Sequence, residues 1–292
     1  MRTFREAVQG KEFSISAELS LRREFTARDV HRQIDVLGEM VDGIQVTDNP
    51  WSWVQMSAVA AAGLVLQKGI DPIPWLTCRD RNRIALQSDL VGLRAMGVTS
   101  VLLTRGQPVA SDHQIKAKTV FDTTGRELVA MANALNDDPS LGPAEELFIG
   151  TGARAFRAGA KWQAKSLKAR ADAGARFVQT QLCFNTDIIR PFIEALVRTK
   201  LTWKYAVIIS LAVLPSVKTA IWLKENMREV KIPVRLVERL RDAVDAELEG
   251  VKICSELMQE ISEIPGVSGV NLMTMGNPES IPAAIKASGL RT

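Results

Sequence analysis

The chain has 292 residues, of which 46% are hydrophobic and 24% are charged, and its formal net charge is +4 at neutral pH. These proportions are typical of a globular protein that can bury a large core. So mild a positive charge suits an anionic small ligand better than a nucleic-acid surface, and no RNA-binding or zinc-finger pattern accompanies it.

The cysteines and histidines argue against a metal site. Cys78, Cys183 and Cys254 lie far apart without a CxxC pair, so we expect reduced thiols in a reducing compartment and no metal cage. His31 and His113 are the only two histidines, so a histidine-based metal site is not expected.

The N-terminal segment predicts neither secretion nor a membrane partner. Residues 1–13 are charged and lack the apolar core of a signal peptide, so we expect a cytoplasmic protein. The most apolar helix candidate runs from Ser57 to Gly69, and it is too short to span a bilayer. We expect it to form a buried helix.

Short β-rich runs alternate with helical patterns along the whole chain. Their period and β-branched content predict eight strands, at about 13–19, 43–48, 71–78, 100–106, 147–152, 177–184, 206–215 and 269–276. Strict alternation favours a parallel sheet, and eight repeats favour closure into a (βα)8 TIM barrel. We therefore expect an α/β fold with one catalytic domain over residues 1–292.

Helix-start signals follow several of these strands. Capping side chains or first-turn prolines predict helix starts at Asn49-Pro50, Thr186, Ser216 and Asn277-Pro278. Two elaborations are expected: a long connection over about 107–123, and an extra helical stretch from Val234 to Ile264 before the last strand. Its core-facing stripe comprises Leu236, Leu240, Val244, Leu248, Val251, Leu257 and Ile261.

The carboxyl ends of barrel strands hold the site in this fold class, and Glu18 ends the first strand. In the first strand Ser14, Ser16 and Glu18 alternate with apolar residues, so the acid belongs to a polar face. A carboxyl partly desolvated there has a raised pKa and can act as a general acid. The alternative is a surface glutamate, or one held by a lysine or arginine.

Gln179 and Gln181 share one face of the sixth strand. An amide both donates and accepts, which suits the amide edge of a pterin or flavin ring. The alternative is a hydrogen-bonded pair in the lumen with no ligand.

After the fifth strand comes a run of cations that either meets the phosphates of a dinucleotide or forms a solvated helix face: Arg154, Arg157, Lys161, Lys165, Lys168 and Arg170.

A dense polar turn, residues 75–83, ends the third strand. Asp80 or Asn82 can cap the following helix, and the arginines of the turn are expected to be solvated. No GxGxxG follows a strand, so a Rossmann-type cofactor site is not indicated.

Together these segments resemble the methylenetetrahydrofolate reductase family over most of the chain. The stretches that carry the resemblance are ISAEL (15–19), VTDNPWSWVQMS (46–57), LTCRDRNRIALQSDLVGLRAMGV (76–98), DHQIKAKTVFD (112–122), DAGARFVQTQLCF (172–184) and GVNLMTMGNPESIPAAI (269–285). The third is the most specific, because few unrelated chains carry so long a string at a strand-to-helix junction.

The resemblance implies a (βα)8 barrel that reduces 5,10-methylenetetrahydrofolate to 5-methyltetrahydrofolate through FAD, with NADH or NADPH as the electron donor. It makes Glu18 the acid that opens the folate imidazolidine ring. It makes Gln181 a folate contact, and we expect Gln107 and Gln179 to bind the substrate too. The positions that it places at the flavin are Thr47, Trp75, Thr77, Arg105, Gly106 and Arg170. Homo-oligomers are common in the family.

The chain departs from the family pattern around the cofactor. Gly106-Gln107 stands where the family usually has Gly-Asp, and loss of that charge should make the flavin easier to reduce and weaken contact with the folate amide. Leu19-Ser20 replaces the usual Pro-Pro. Two alternatives therefore stand beside the FAD enzyme: a flavin-free relative that passes hydride directly from NADH to the folate, and a non-catalytic folate-binding subunit.

Overall fold

Eight parallel strands close into one barrel in chain order, each joined to the next by a connection with at least one helix. The computed structural model describes residues 2–10, 12–109, 115–142, 145–227 and 229–291. The strands are β1 Ser14–Glu18, β2 Gly43–Val46, β3 Pro72–Thr77, β4 Ser100–Thr104, β5 Phe148–Ala153, β6 Phe177–Thr180, β7 Ala206–Val213 and β8 Gly269–Thr274. The predicted TIM barrel is confirmed.

The described helices lie outside the barrel or close its ends. They are α1 Phe4–Gln9, α2 Ala27–Leu37, α3 Ala58–Gln67, α4 Arg83–Ala95, α5 Gly125–Asn136, α6 Lys165–Asp172, α7 Thr186–Arg198, α8 Val217–Asn226, α9 Val234–Asp242, α10 Ala246–Ser262 and α11 Ser280–Ser288. Within the described ranges, no helix is both long and apolar enough to cross a bilayer.

Two separate apolar cores follow from the alternation along each strand. One parity of the strands, including Ile15 and Ala17 of β1, packs outward against the helices. The other parity fills the lower lumen with Ile73, Leu102, Phe148, Phe177 and Ile208. Phe4 of α1 closes the amino-terminal end of this inner core, with its ring centroid 5.4 Å from that of Phe177.

The strands end earlier than predicted at the carboxyl-terminal rim. The predicted 43–48 and 177–184 end at Val46 and Thr180, and β7 ends at Val213. Beyond the end of β6, the backbone N–H groups of Gln181 and Cys183 still donate to Ala153 of β5 and Ser210 of β7, at 2.9 and 3.1 Å.

Of the four predicted helix starts, three are correct or nearly so, including α11, which begins at Ser280 just after Asn277-Pro278, and one is wrong. Ser216 caps α8 through its side chain, and α7 begins at Thr186 with Asn185 as its cap. Asn49-Pro50 begins only a single 3₁₀ turn, because Asn49 is left-handed and Trp51 and Ser52 also have positive φ. The helix that follows, α3, is capped by Ser57, and it is the expected buried helix.

The stretch before β8 forms two helices, α9 and α10, instead of one. The chain breaks at Ala243, and Asp245 caps α10. Five residues of the predicted stripe are buried, but Val244 is fully exposed and Leu248 is half exposed because both lie at or beside this break. For these two residues the core-facing prediction is wrong.

Substitution of Gly150 should test the packing of the lower lumen. A Cβ atom at Gly150 would lie 2.1 Å from Cζ of Phe177, and that ring is stacked on Phe148 with centroids 5.1 Å apart. Gly150→Ala should therefore lower the free energy of unfolding by about 1–3 kcal/mol, measured by urea titration.

Gly92 in α4 is the matched control, because a Cβ atom there meets nothing within 4 Å. Gly92→Ala should leave stability unchanged or raise it by about 0.5–1 kcal/mol. Equal effects of the two substitutions would contradict the packing assigned to Gly150.

Candidate active site

Glu18 is the last residue of β1, on the strand parity that faces the lumen. Below it, Ser16 donates a hydrogen bond from Oγ to Oδ1 of Asn271 on β8, at 2.9 Å. The Glu18 side chain is partly buried, and its carboxyl group makes no hydrogen bond or ion pair with any other described residue. Burial alone raises the pKa of Glu18 to about 7. The group can thus hold or release a proton near neutral pH.

A reciprocal pair of glutamines forms the floor below Glu18. Nε2 of Gln45 donates to Oε1 of Gln179 at 2.7 Å, and Nε2 of Gln179 donates back to Oε1 of Gln45 at 2.9 Å. These residues belong to β2 and β6, which lie opposite each other in an eight-stranded barrel. The acceptor and one donor of the Gln179 amide are therefore both bonded to Gln45. This arrangement resembles the alternative of a hydrogen-bonded lumen pair without a ligand, but the partner is Gln45 and not Gln181.

Gln181 lies two residues farther along the chain, beyond the end of β6. Its backbone N–H donates to the carbonyl oxygen of Ala153 at 2.9 Å, and its side chain is exposed at the mouth of the barrel. The structure thus separates the two predicted glutamines: Gln179 forms the floor, and the Gln181 amide faces the mouth.

Asp48 organises the rim between β2 and β3. Its buried carboxylate accepts hydrogen bonds from the backbone N–H and Oγ1 of Thr77, at 2.9 and 3.0 Å. Arg81 donates to both of its oxygens, at 2.7 and 2.9 Å. A bidentate, charge-assisted pair of this kind fixes geometry strongly. Thr77, predicted to contact the flavin, therefore uses both of its donors on Asp48.

Two of the three arginines of the polar turn after β3 are not solvated as predicted, whereas Arg83 is exposed. Arg79 is buried and donates to both carboxylate oxygens of Asp80 and to the carbonyl oxygen of Asn49, while Arg81 is bound by Asp48 and Asp89. They are drawn inward because acids and a free carbonyl group surround them. The predicted capping role falls to Asn82, whose side chain accepts from the N–H of Ala85.

Two other predicted residues lie near the ends of β2 and β3. Thr47 is buried, and both its carbonyl oxygen and Oγ1 accept from Nε2 of Gln55. The indole N–H of Trp75 donates to Oγ1 of Thr104 at 2.9 Å, so this ring stands between β3 and β4 on the lumen side.

The turn after β4 approaches β3 closely. Gly106 has a φ of +78°, and a Cβ atom there would lie 3.1 Å from the Cβ atom of Thr77. Both the left-handed backbone conformation and this close approach favour glycine. Arg105 stacks on Phe121 at 4.1 Å, and Gln107 is exposed. Of the DHQIKAKTVFD stretch, residues 112–114 lie outside the described residues.

Arg170 brings a cation to the end of β5. Its Nη1 donates to Oγ1 of Thr151 and to the carbonyl oxygen of Gly152, at 2.8 and 2.6 Å. Burial lowers the pKa of this guanidinium. Of the six cations in the predicted run, only Arg154 forms an ion pair with another described residue, Glu229. In the same region α6 begins at Ala164 without a side-chain cap.

Two features of the site were not predicted from the sequence. The Asp48–Arg81 pair joins residues that are far apart in sequence, and no local sequence pattern predicts it. Trp51 and Trp53, in the loop after β2, contact Trp222 of α8. The only sequence signal for this contact is two tryptophans one residue apart beside Asn49-Pro50.

These observations define a (βα)8 barrel protein whose polar site lies at the carboxyl-terminal mouth, with a protonatable carboxyl above a neutral amide floor. The family model described as methylenetetrahydrofolate reductase matches residues 3–289. The chain belongs to this family, and the resemblance predicted from its motifs is confirmed. Among the described residues, no cluster of three or more potential ligand side chains is placed to hold a metal ion.

Similar proteins agree with this assignment. A probable methylenetetrahydrofolate reductase (NADPH) of Caenorhabditis elegans is 25% identical over 253 residues, which are 81% of this chain and 35% of that protein. The chain thus spans about a third of the curated relative.

Two solved structures share the fold. An uncharacterized protein from Clostridium thermocellum that binds two copies of 5-methyl-5,6,7,8-tetrahydrofolic acid superposes with a TM-score of 0.66 at 13% identity, covering 98% of this chain and 97% of that one. The EDTA monooxygenase of Chelativorans sp. BNC1 has a TM-score of 0.56 at 11% identity, covering 95% and 92%.

The raised pKa of Glu18 should make stability depend on pH. Burial disfavours the charged form only in the folded protein, so the folded state holds this proton more tightly than an unfolded chain with a pKa near 4.5. The contribution of Glu18 to the free energy of unfolding is therefore fully present below pH 4.5 and is lost as the pH rises through about 7.

Urea unfolding of Glu18→Gln and wild type at several pH values will measure this effect. The variant should gain stability relative to the wild type between about pH 4.5 and about pH 7. Glu39→Gln, which replaces an exposed glutamate near the opposite end of the barrel, is the control for the substitution itself. A profile for Glu18→Gln that runs parallel to the wild type would show that its pKa is not raised.

Proposed function

We propose that this protein reduces 5,10-methylenetetrahydrofolate to 5-methyltetrahydrofolate with NADH or NADPH as the electron donor and with bound FAD. The observation that carries the proposal is the Glu18 carboxyl, desolvated at the barrel mouth with a pKa of about 7, in a chain of the methylenetetrahydrofolate reductase family. The name of the Caenorhabditis elegans relative and the folate bound by the Clostridium thermocellum protein support a folate substrate.

Glu18 is proposed as the general acid. Protonated Glu18 gives its proton to a nitrogen of the folate imidazolidine ring as the carbon–nitrogen bond breaks, and the methylene carbon is left as an iminium. Hydride addition to that carbon then yields the methyl group. A pKa near 7 suits this task, because the acid is partly protonated at neutral pH and its conjugate base is still weak.

Gln181 is proposed to hold the pterin edge. Its exposed amide offers one acceptor and two donor hydrogens at the same mouth as Glu18. Gln179 supports the ligand from below through the amide floor, because its amide is already paired with Gln45. Gln107, exposed after β4, keeps its proposed contact with the substrate.

The cations after β5 fit the pyrophosphate of a dinucleotide. Arg170 is partly buried with no acid partner among the described residues, and Lys165 and Lys168 are exposed on the first turn of α6, whose start has no side-chain cap. Free backbone N–H groups at a helix start, together with fixed cations, attract phosphate. Thr47, Trp75, Thr77, Arg105 and Gly106 are the residues proposed to meet the flavin. A bound flavin supplies two-electron transfer between the nicotinamide and the folate.

A flavin-free reaction is the second candidate, and Gln107 favours it. The neutral amide at the position after Gly106 provides no negative charge beside a flavin ring, and Thr77 uses its donors on Asp48. In this version the nicotinamide gives its hydride directly to the folate iminium, and Glu18 keeps the same role.

The colour of the purified protein separates these candidates. We expect a yellow protein that NADH or NADPH bleaches without oxygen, because a bound flavin is yellow only when it is oxidised. A colourless protein that oxidises NADH only when methylenetetrahydrofolate is present would establish the flavin-free reaction. A colourless protein that binds folate and oxidises no NADH would identify a non-catalytic subunit.

Glu18→Gln should affect only the folate half of the reaction. Reduction of the flavin by NADH needs no general acid at this carboxyl and should stay close to the wild-type rate. The folate half-reaction should slow by about a hundredfold to ten-thousandfold, the usual contribution of a general acid. Anaerobic stopped-flow absorbance measures both half-reactions, with Glu39→Gln as the control. Equal losses in the two half-reactions would remove Glu18 from its assigned role.

A further inference from the structure

Three tryptophans join two distant parts of the barrel rim. Trp51 and Trp53 belong to the loop between β2 and α3, and Trp222 belongs to α8, after β7. The ring centroids are 5.3 Å apart for Trp51 and Trp53, 5.6 Å for Trp51 and Trp222, and 6.4 Å for Trp53 and Trp222. We call this cluster the tryptophan bridge.

The position of the tryptophan bridge follows from the barrel order. Strands β2 and β7 are separated by β1 and β8, so the contact between their loops spans the carboxyl ends of those two strands. Glu18 is the last residue of β1. The tryptophan bridge therefore lies along the side of the mouth to which the proposed acid belongs.

The backbone that carries two of these rings is strained. Asn49, Trp51 and Ser52 have φ values of 46°, 53° and 65°, a left-handed region that non-glycine residues seldom adopt. Such strain persists only where surrounding contacts impose it, and it is concentrated in ligand clamps and switch segments. A loop selected only for packing would gain from glycine at these positions.

The base of this loop is anchored, and its tip is not. Arg79 donates to the carbonyl oxygen of Asn49 at 2.9 Å, and the N–H of Gln55 donates to Oδ1 of Asn49 at 3.2 Å. At the tip Trp53 is 54% exposed and Trp51 is 37% exposed. The tip contacts α8 through the Trp222 ring. Separation of Trp51 and Trp53 from Trp222 would therefore free the tip while the base stays in place.

We propose that Trp51 and Trp53 form a lid that opens to admit the ligand and then closes on a flat aromatic ring of that ligand. A ring held between two others needs about 7 Å between the outer planes, twice a carbon–carbon contact distance of about 3.5 Å. The centroid distances in the tryptophan bridge are shorter than this, so its rings are in the closed arrangement. Trp51 and Trp53 must therefore move away from Trp222 to admit a ligand ring.

This inference rests on the proposed function and identifies the part of the ligand that the lid holds. The pterin is assigned to Glu18 and Gln181 in the mouth, so the lid meets the aryl ring between the pterin and the carboxylate tail. Lys218 is exposed one helical turn before Trp222 on α8, where it can attract that anionic tail.

The test compares two ligands by isothermal titration calorimetry on the purified full chain. One is 5-methyltetrahydrofolate, and the other is a reduced pterin that lacks the aryl ring and its tail. Trp51→Ala and Trp53→Ala should each weaken the first ligand about three- to tenfold and leave the second unchanged, because an aromatic contact is lost only with the first. Trp53→Phe should recover most of the loss.

Trp203→Ala is the matched control. Trp203 is 79% exposed and lies before β7, at the opposite end of the barrel, so both affinities should match the wild type. Near-ultraviolet circular dichroism checks that each variant is folded, and Trp53→Phe serves if an alanine variant does not fold.

The outcomes separate the lid from the proposed function. Wild-type affinities for 5-methyltetrahydrofolate in Trp51→Ala and Trp53→Ala would overturn the lid and leave the proposed function standing. Equal weakening of both ligands would also overturn it, because a loss shared with the pterin is not a contact to the aryl ring. A wild-type protein that binds neither ligand overturns the proposed function and the lid together.

Discussion

The reciprocal hydrogen bonds between Gln45 and Gln179 set the depth of the site. Because they join opposite strands, they close the lumen at their own height and divide it into two parts. Below them the lumen holds mainly apolar side chains, together with the buried Ser14 and the hydrogen-bonded pair of Ser16 and Asn271. The glutamine pair also satisfies itself, so two buried amides incur little of the cost of unpaired polar groups. Polar chemistry is thereby confined to a basin at the carboxyl-terminal mouth.

The charges around this basin are unevenly distributed. On the β2–β3 side Arg79 and Arg81 are neutralised by Asp80, Asp48 and Asp89, so that rim is rigid and nearly neutral. On the β5 side most of the cations have no acidic partner among the described residues. Glu18, at the end of β1, lies next to the first region and across the mouth from the second, and its pKa is raised by burial with no nearby cation to lower it. The unpaired cations therefore make the β5 side the more favourable one for an anionic group.

Much of the fold, but less of the site, follows from the sequence alone. The alternation of strands and helices is a local pattern, so eight strands and their closure were predictable. The position of Glu18 was also predictable, because the two-residue period of β1 assigns it to the polar face. The partner of Gln179 was not, since Gln45 lies 134 residues away and only barrel closure brings the two together. The same holds for Asp48 and Arg81, since the arginine was expected to be solvated and no local pattern pairs it with Asp48.

The three free cysteines have a consequence for the chemistry of the whole molecule. All are buried, and burial raises the pKa of Cys78 to about 11 and that of Cys254 to about 12, while that of Cys183 is also raised. Thiolate, the form that attacks disulfides and reacts with peroxide, is thus scarce at every one of these positions. The barrel thus carries its cysteine sulfur atoms where oxidants meet little thiolate to react with.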